Sequence, residues 1–365
     1  MKKFNRKGSV MGVILNKNSI VYIACPANTA SGGPELLHQL AYHFINDLNI
    51  KAFMYYYNYD SSKFESLLHS EYKFYKVPYL LEIQKKEDIN ENILIVPEDL
   101  KGLKILSKYK NIRKGIWLLS VDNYYYFRSR NFFFKRLVNK FLRLINVSPI
   151  FNISSERNLE ILTNKYPYTD DELLKLANFY MTQSYRGMVW FKKLKPLYYL
   201  SDYLDLDFLK TKTDLSKKEN VVAFNPKKGF EFTKKIIRSA KDIKFIPLIN
   251  MSRTEVIKTF QKAKVYIDFG NHPGKDRMPR EAAVLGCCVI TGKGGSAAFY
   301  EDVPLPDEYK FEDKKENIFA IVEKIRDCFN NFKDRHKDFD YYREVIKREP
   351  QKFIEDMKKI FVKVE

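Results

Sequence analysis

Residues 272–283, HPGKDRMPREAA, crowd six ionisable side chains into one short segment: His272, Lys275, Asp276, Arg277, Arg280 and Glu281. Guanidinium and ammonium groups bind phosphate, and carboxylates accept hydrogen bonds from sugar hydroxyls. A ligand carrying both, such as a nucleotide-sugar, suits this set. Lys275 and Arg277 are read as ligands of phosphate or of a transferred sugar. Asp276 either holds sugar hydroxyls or orients Arg277, and Glu281 accepts from ribose hydroxyls. The alternative is an exposed loop whose charges pair with one another. His272 joins the candidates as a loop residue but has no partner ligands at metal-binding spacing, and no metal site is expected.

Three further segments carry chemistry. AFNPKKG (223–229) ends an apolar run and offers Asn225, Lys227 and Lys228 just before a helix. Paired lysines there can neutralise a diphosphate and stabilise its departure, or can simply be solvated. ASGGPELL (30–37) places Gly32 and Gly33 between a strand and a helix, where backbone N–H groups can approach a ligand. The spacing is not GxGxxG, and a tight turn explains the pair equally well. LLSVDN (118–123) ends a strand with Asp122, either a general base for an acceptor hydroxyl or part of an Asx turn. Arg277, Lys228 and Asp122 are the residues placed at the chemical step.

The surrounding elements position these residues. An apolar strand at 265–269 leads into the 272 loop, a helix begins around Pro279 and ends at Gly286, and a second strand follows at 287–291. The charged loop thus lies at the C-terminal end of a strand and beside a helix N-terminus, where open α/β sheets bind anionic ligands. Further strands are expected at 19–25, 52–57, 93–96, 115–120, 150–153, 179–183, 221–224 and 243–248. Helices fall near 34–48, 229–240 and 252–262. The pattern is α/β, with mainly parallel, doubly wound sheets. At 365 residues the chain fits two domains: 1–200, a polar linker at 201–219, and 220–348. Beyond 313 the chain is helical and heavily charged, broken at Pro350, and 349–365 forms a last helix.

Composition narrows the function. Lys and Arg number 64 against 45 acidic residues, a net charge of +19 that attracts polyanions or phosphorylated substrates. The four cysteines lack CxxC spacing, so neither disulfides nor a zinc site is expected. The N-terminal segment reads as a tail and a first strand, interrupted by Asn16, Lys17 and Asn18, and not as a signal peptide. Residues 127–146 interleave Arg128, Arg130, Lys135, Arg136, Lys140 and Arg143 with aromatic and aliphatic residues. Such a helix suits an anionic membrane surface, or a core position with snorkelling cations.

With these residues in view, the chain resembles the two-domain GT-B glycosyltransferases of bacterial capsular and other surface polysaccharides. The carriers are ACPANTASGGPELLHQL, IWLLSVDNYY, YYLSDYL, AFNPKKG, PGKDRMPREAAVLGCCVITG and EDVPLPDEY. The resemblance implies two Rossmann-like domains facing each other across a cleft, and a cytoplasmic, metal-independent transferase at the inner face of the membrane. The acceptor glycan, lipid-linked, falls to the N-terminal domain, and the nucleotide-sugar donor to the C-terminal one. No other cofactor and no nucleic acid is implied. In the retaining members with a two-glutamate signature, the second glutamate precedes Ala-x-x-x-Gly and binds ribose; Glu281 in EAAVLG matches it. Pro273 stands where the first glutamate would fall, leaving Asp276 or Arg277 to take its place. Asn225 to Gly229 corresponds to the loop that holds donor phosphates, and the last helix is expected to return to the N-terminal domain. The rival function is a non-catalytic basic α/β protein that binds nucleic acid or another polyanion.

Overall fold

A computed structural model describes residues 12–62, 64–129, 134–135, 137–139, 141–142 and 156–364. Strand β1 (Val13–Leu15) stands outside the main sheets. Strands β2 (Ile20–Pro26), β3 (Lys51–Tyr57), β4 (Tyr79–Leu80), β5 (Ile93–Pro97), β6 (Arg113–Leu118), β7 (Phe179–Thr182) and β8 (Leu197–Tyr199) form a parallel seven-stranded sheet. Its order is β4-β3-β2-β5-β6-β7-β8. Strands β9 (Glu219–Phe224), β10 (Lys244–Pro247), β11 (Ala263–Asp268), β12 (Cys288–Gly292) and β13 (Lys310–Phe311) form a second parallel sheet in the order β10-β9-β11-β12-β13. Central strands such as β5 and β12 are buried along their whole length, as parallel strands covered on both faces by helices must be.

In each sheet the strand order reverses once, between β2 and β5 in the first and between β9 and β11 in the second. Loops leaving the C-terminal ends of strands at such a point diverge and leave a crevice. The loop after β2 leads into the helix Gly32–Asn46, and the loop after β9 carries Asn225 to Lys228. The loop after β11 carries His272 to Asp276. The charged segments therefore sit at the switch points, for a reason set by topology.

Three apolar clusters hold the molecule together. Two cover opposite faces of the first sheet, and the third surrounds the second sheet. The chain passes between domains within two residues: Tyr203 packs in the first domain's core and Leu204 in the second's. The last helix, Asp340–Ile360, crosses back. Its Tyr342 and Ile346 lie in the C-terminal core, while Phe353, Met357 and Ile360 lie in the N-terminal one. Strand β14 (Phe361–Lys363) then pairs in parallel with β1.

Two expectations need correction or placement. The last helix is not broken at Pro350 but runs through it. The proline removes one backbone hydrogen bond, and burial of both halves in two different cores keeps the flanking turns helical. The strand expected at 150–153 lies outside the described residues, as do Arg130, Arg136, Lys140 and Arg143.

Candidate functional site

The site is built where the β9 and β11 loops meet. Gly229 and Gly270 have φ of 59° and 93°, and a Cβ on Gly229 would lie 2.1 Å from the Phe269 carbonyl oxygen. Only glycine permits this approach, which brings Lys228 against the His272 loop. Lys228 Nζ lies 3.2 Å from Asp268 Oδ2 and also pairs with Asp276. His272 Nδ1 is 2.9 Å from the same Asp276 carboxylate. Burial works to raise the Asp276 carboxyl, but Lys228 and His272 outweigh it and hold the group below the ordinary carboxylate range. Asn225, Lys228, Asp268, Pro273, Asp276, Arg277 and Met278 line a cavity of about 170 Å³ here.

Asp268, His272 and Asp276 place ligand atoms within 4.8 Å of one another, a spacing compatible with a metal ion. The Lys228 ammonium lies among them and already supplies the positive charge that a cation would bring. The set therefore does not fit a metal while Lys228 keeps this place.

Two uncapped helix starts converge on Arg277. The helix Arg277–Val284 follows Asp276, whose carboxylate is committed to Lys228 and His272 and does not cap it. The helix Gly32–Asn46 begins after Ser31, again without a side-chain cap. A Cβ on Gly32 would lie 3.8 Å from Arg277 Nε, so the two ends face each other from opposite domains. Each presents backbone N–H groups and a positive dipole end. Arg277 Nη1 bonds Glu35 and Nε lies 3.5 Å from Asp202 Oδ2, an ion pair without a hydrogen bond; the buried Nη2 has no partner among the described residues. A buried guanidinium with open donors between two helix N-termini is built to receive an anion.

Three residues later on the same helix, Arg280 is saturated. It bonds both Asp202 oxygens at 2.9 Å and Glu349 Oε2 at 2.8 Å, with further bonds to the Asp276 and Lys275 carbonyls. Lys275 corrects its expected role: its Nζ lies 2.6 Å from Glu349 Oε1 and 3.2 Å from Ser201 Oγ, so it fastens the last helix and does not line the cavity. Asp122 is also corrected. It is fully buried, with Arg186 Nη2 at 2.8 Å on one oxygen and Asn271 Nδ2 on the other. Neither oxygen is open to an acceptor hydroxyl; the carboxylate ties the N-terminal domain to the 271 loop. Ser120 Oγ to the Pro273 carbonyl and Gln183 to the Lys275 backbone complete that clamp.

The remaining candidates divide. Asn225 and Lys228 line the cavity, and Gly32 abuts Arg277 while Gly33 abuts Leu119. Lys227 is exposed and its ammonium has no partner among the described residues. Glu281 falls in the second helical turn, because the helix starts at Arg277 and not at Pro279. Its half-buried carboxylate makes no hydrogen bond among the described residues, and burial pushes it up to about 7 against the pull of Arg277 and Arg280. Sequence reasoning missed Glu35, Asp202, Arg186 and Glu349. Glu35 and Asp202 stand inside ASGGPELL and YYLSDYL, segments whose resemblance had already drawn attention.

No protein-family model matches this sequence, and no curated protein matches it. Solved structures do. Over 93% of this chain and 99% of the other, it superposes on HepE of Anabaena, solved with UDP-glucose, with a TM-score of 0.57 at 11% identity. The lipopolysaccharide outer core galactosyltransferase WaaB covers 93% of this chain and 99% of its own, with a TM-score of 0.52 at 10% identity. A sucrose-phosphate synthase from Thermosynechococcus elongatus covers 92% of this chain and 94% of its own, with a TM-score of 0.52 at 9% identity. The chain has the GT-B fold of these glycosyltransferases, two Rossmann-like α/β domains that meet around Arg277.

Proposed function

We propose that the protein is a glycosyltransferase that moves a sugar from a nucleotide-sugar donor to a growing bacterial surface glycan. Arg277 carries this reading: its open Nη2 lies between two uncapped helix starts, at a cavity that also presents carboxylates. Phosphates suit the first set and hydroxyls the second. The proteins of the same fold point the same way, since HepE is solved with UDP-glucose and WaaB is a galactosyltransferase.

In this reading the bond between the anomeric carbon and the donor phosphate breaks, and its electron pair leaves with the nucleoside diphosphate. The acceptor oxygen forms the new bond, and its proton passes to the departing phosphate oxygen. Arg277 and the two helix dipoles stabilise the charge that develops on the leaving group. Lys228 holds Asp276 and Asp268 in place, Glu281 faces the ribose, and Asp122 positions the 271 loop. The acceptor is a glycan, lipid-linked, at the inner face of the cytoplasmic membrane. Phe127, Phe134, Leu137 and Phe141 are all exposed, and the spacing of the last three places them along one helical face in the basic 127–146 segment. No helix among the described residues is long and apolar enough to cross a membrane.

A thermal-shift series with UDP, GDP, CMP, dTDP and ADP, without added metal, tests the donor reading. One nucleotide should raise the melting temperature, since a ligand selective for the native state stabilises it. Salt-dependent RNA binding without any nucleotide shift would instead favour a polyanion-binding protein.

A further inference from the structure

The carboxylates around Arg277 outnumber its cations, and two of them have unused oxygens. Glu35 Oε1 and Asp268 Oδ1 are buried and have no hydrogen-bond partner among the described residues. The Glu35 side chain is 7% exposed and that of Asp268 0%. Asp268 lines the cavity, and Glu35 grips Arg277 at its edge. A buried acceptor without a donor is costly, and a ligand O–H or N–H relieves it.

The cations are already committed. Lys228 is shared between Asp268 and Asp276, Arg280 between Asp202 and Glu349, and Lys275 belongs to Glu349. Among the described residues that line the cavity, only Arg277 keeps open cationic donors, and a diphosphate would occupy them. Lys227 is exposed and does not line the cavity. A second negative group on the ligand would meet Asp268 and Asp276 on the wall, with Glu35 beside Arg277, and no cation of that wall is left to receive it.

From this charge balance we infer that the transferred sugar is uncharged or amine-bearing, read by Glu35 and Asp268 through its hydroxyls or amine, and that sugars bearing a carboxylate are rejected. The inference rests on the donor reading above and narrows it to a substrate class. Uronic acids and carboxylate-bearing keto-sugars fall outside it, while hexoses, deoxyhexoses and their amino derivatives fall inside. Like-charge juxtaposition of this kind is a strong discriminator in a buried site.

Calorimetry with ligand pairs that share a nucleotide isolates the sugar. UDP-glucose is compared with UDP-glucuronate, and GDP-mannose with GDP-mannuronate, each beside the free nucleoside diphosphate. In the series whose free nucleotide binds, the uronate should bind at least about tenfold more weakly than its neutral partner. Glu35→Gln should narrow that ratio, because the amide removes one repelling charge. Equal or tighter binding of the uronate by the unaltered protein overturns the inference and leaves the donor reading standing. A ratio untouched by Glu35→Gln overturns the role given to Glu35. If neither UDP nor GDP binds, both the donor reading, for these nucleotides, and this inference fall. The ligand comparison on the unaltered chain needs no variant to fold.

Discussion

Arg277 and Arg280 stand one helical turn apart on the same short helix, yet they do different work. Arg280 is fully buried and spends its donors on Asp202, Glu349 and two carbonyls, closing a network that joins the linker, the 272 loop and the last helix. Arg277 bonds Glu35 with one nitrogen, rests a second at 3.5 Å from Asp202 without a hydrogen bond, and leaves the buried Nη2 open. Charge type, helix and neighbourhood are shared, so hydrogen-bond saturation separates a structural arginine from one that awaits a ligand. Both lysines are paired, but in different places: Lys275 is consumed by Glu349 away from the cavity, while Lys228, shared by Asp268 and Asp276, lies at the cavity wall.

The largest effect that would test this contrast is on stability. Arg280→Leu leaves Asp202 and Glu349 buried with their main partner gone, and unfolding should become easier by about 3–5 kcal/mol. Denaturant melts measure it; a loss below about 1 kcal/mol would mean that the network is not closed as described. Arg277→Lys keeps a charge beside Glu35 but loses the planar fork, so its stability should fall less than that of Arg280→Leu. Nucleotide affinity should drop about ten- to a hundredfold, the worth of one or two charge-assisted bonds. Unchanged affinity in calorimetry would remove Arg277 from the donor site.

A smaller effect concerns pH. Glu281 directly follows Arg280 in sequence, and burial raises its carboxyl from 4.5 to about 7. A raised acid pKa means that the folded state holds the proton more tightly than the unfolded one. The contribution of Glu281 to stability is therefore greatest at low pH and declines as pH rises from about 4.5 to about 7. Glu281→Gln should be more stable than the parent at pH 8 and gain nothing at pH 4; parallel melting curves at both values would refute the shift. At the weak end, Lys347→Ala breaks an exposed pair with Glu344 and should change stability by no more than about 0.5 kcal/mol. Liposome sedimentation tests the exposed face of Phe134, Leu137 and Phe141: Phe134→Ser with Phe141→Ser should release the protein from anionic vesicles, and full retention would end that idea.

Much of the frame was legible. Strands β2, β3, β5, β9 and β11 were found within two residues at each end, because parallel strands buried on both faces read as short apolar runs. The two-residue β4 and β13 and the half-buried β8 carry too little apolar signal to be seen. The Arg277 helix begins two residues before Pro279. Pro279 suggested the first position but occupies the third, where its missing N–H is equally harmless. That shift moved Glu281 out of the first turn. The site's charges were visible as residue types, but their partners were not: Glu35 lies 242 residues from Arg277 and Glu349 lies 69 from Arg280. No local pattern encodes such distances, so the ion pairs that engage Lys275 and Asp122 are invisible in the sequence.

The helix Asp340–Ile360 has a mechanical consequence. Its first half is anchored in one core, its second half in the other, and Pro350 sits between, where one rung of the backbone ladder is missing. Any change in the angle between the cores loads this helix as a torsion rod. The rod is softest at the proline, next to Glu349, which holds both Arg280 and Lys275. Bending there tugs on the two cations that brace the 272 loop, so the angle between the domains and the tension on that loop are linked through Glu349.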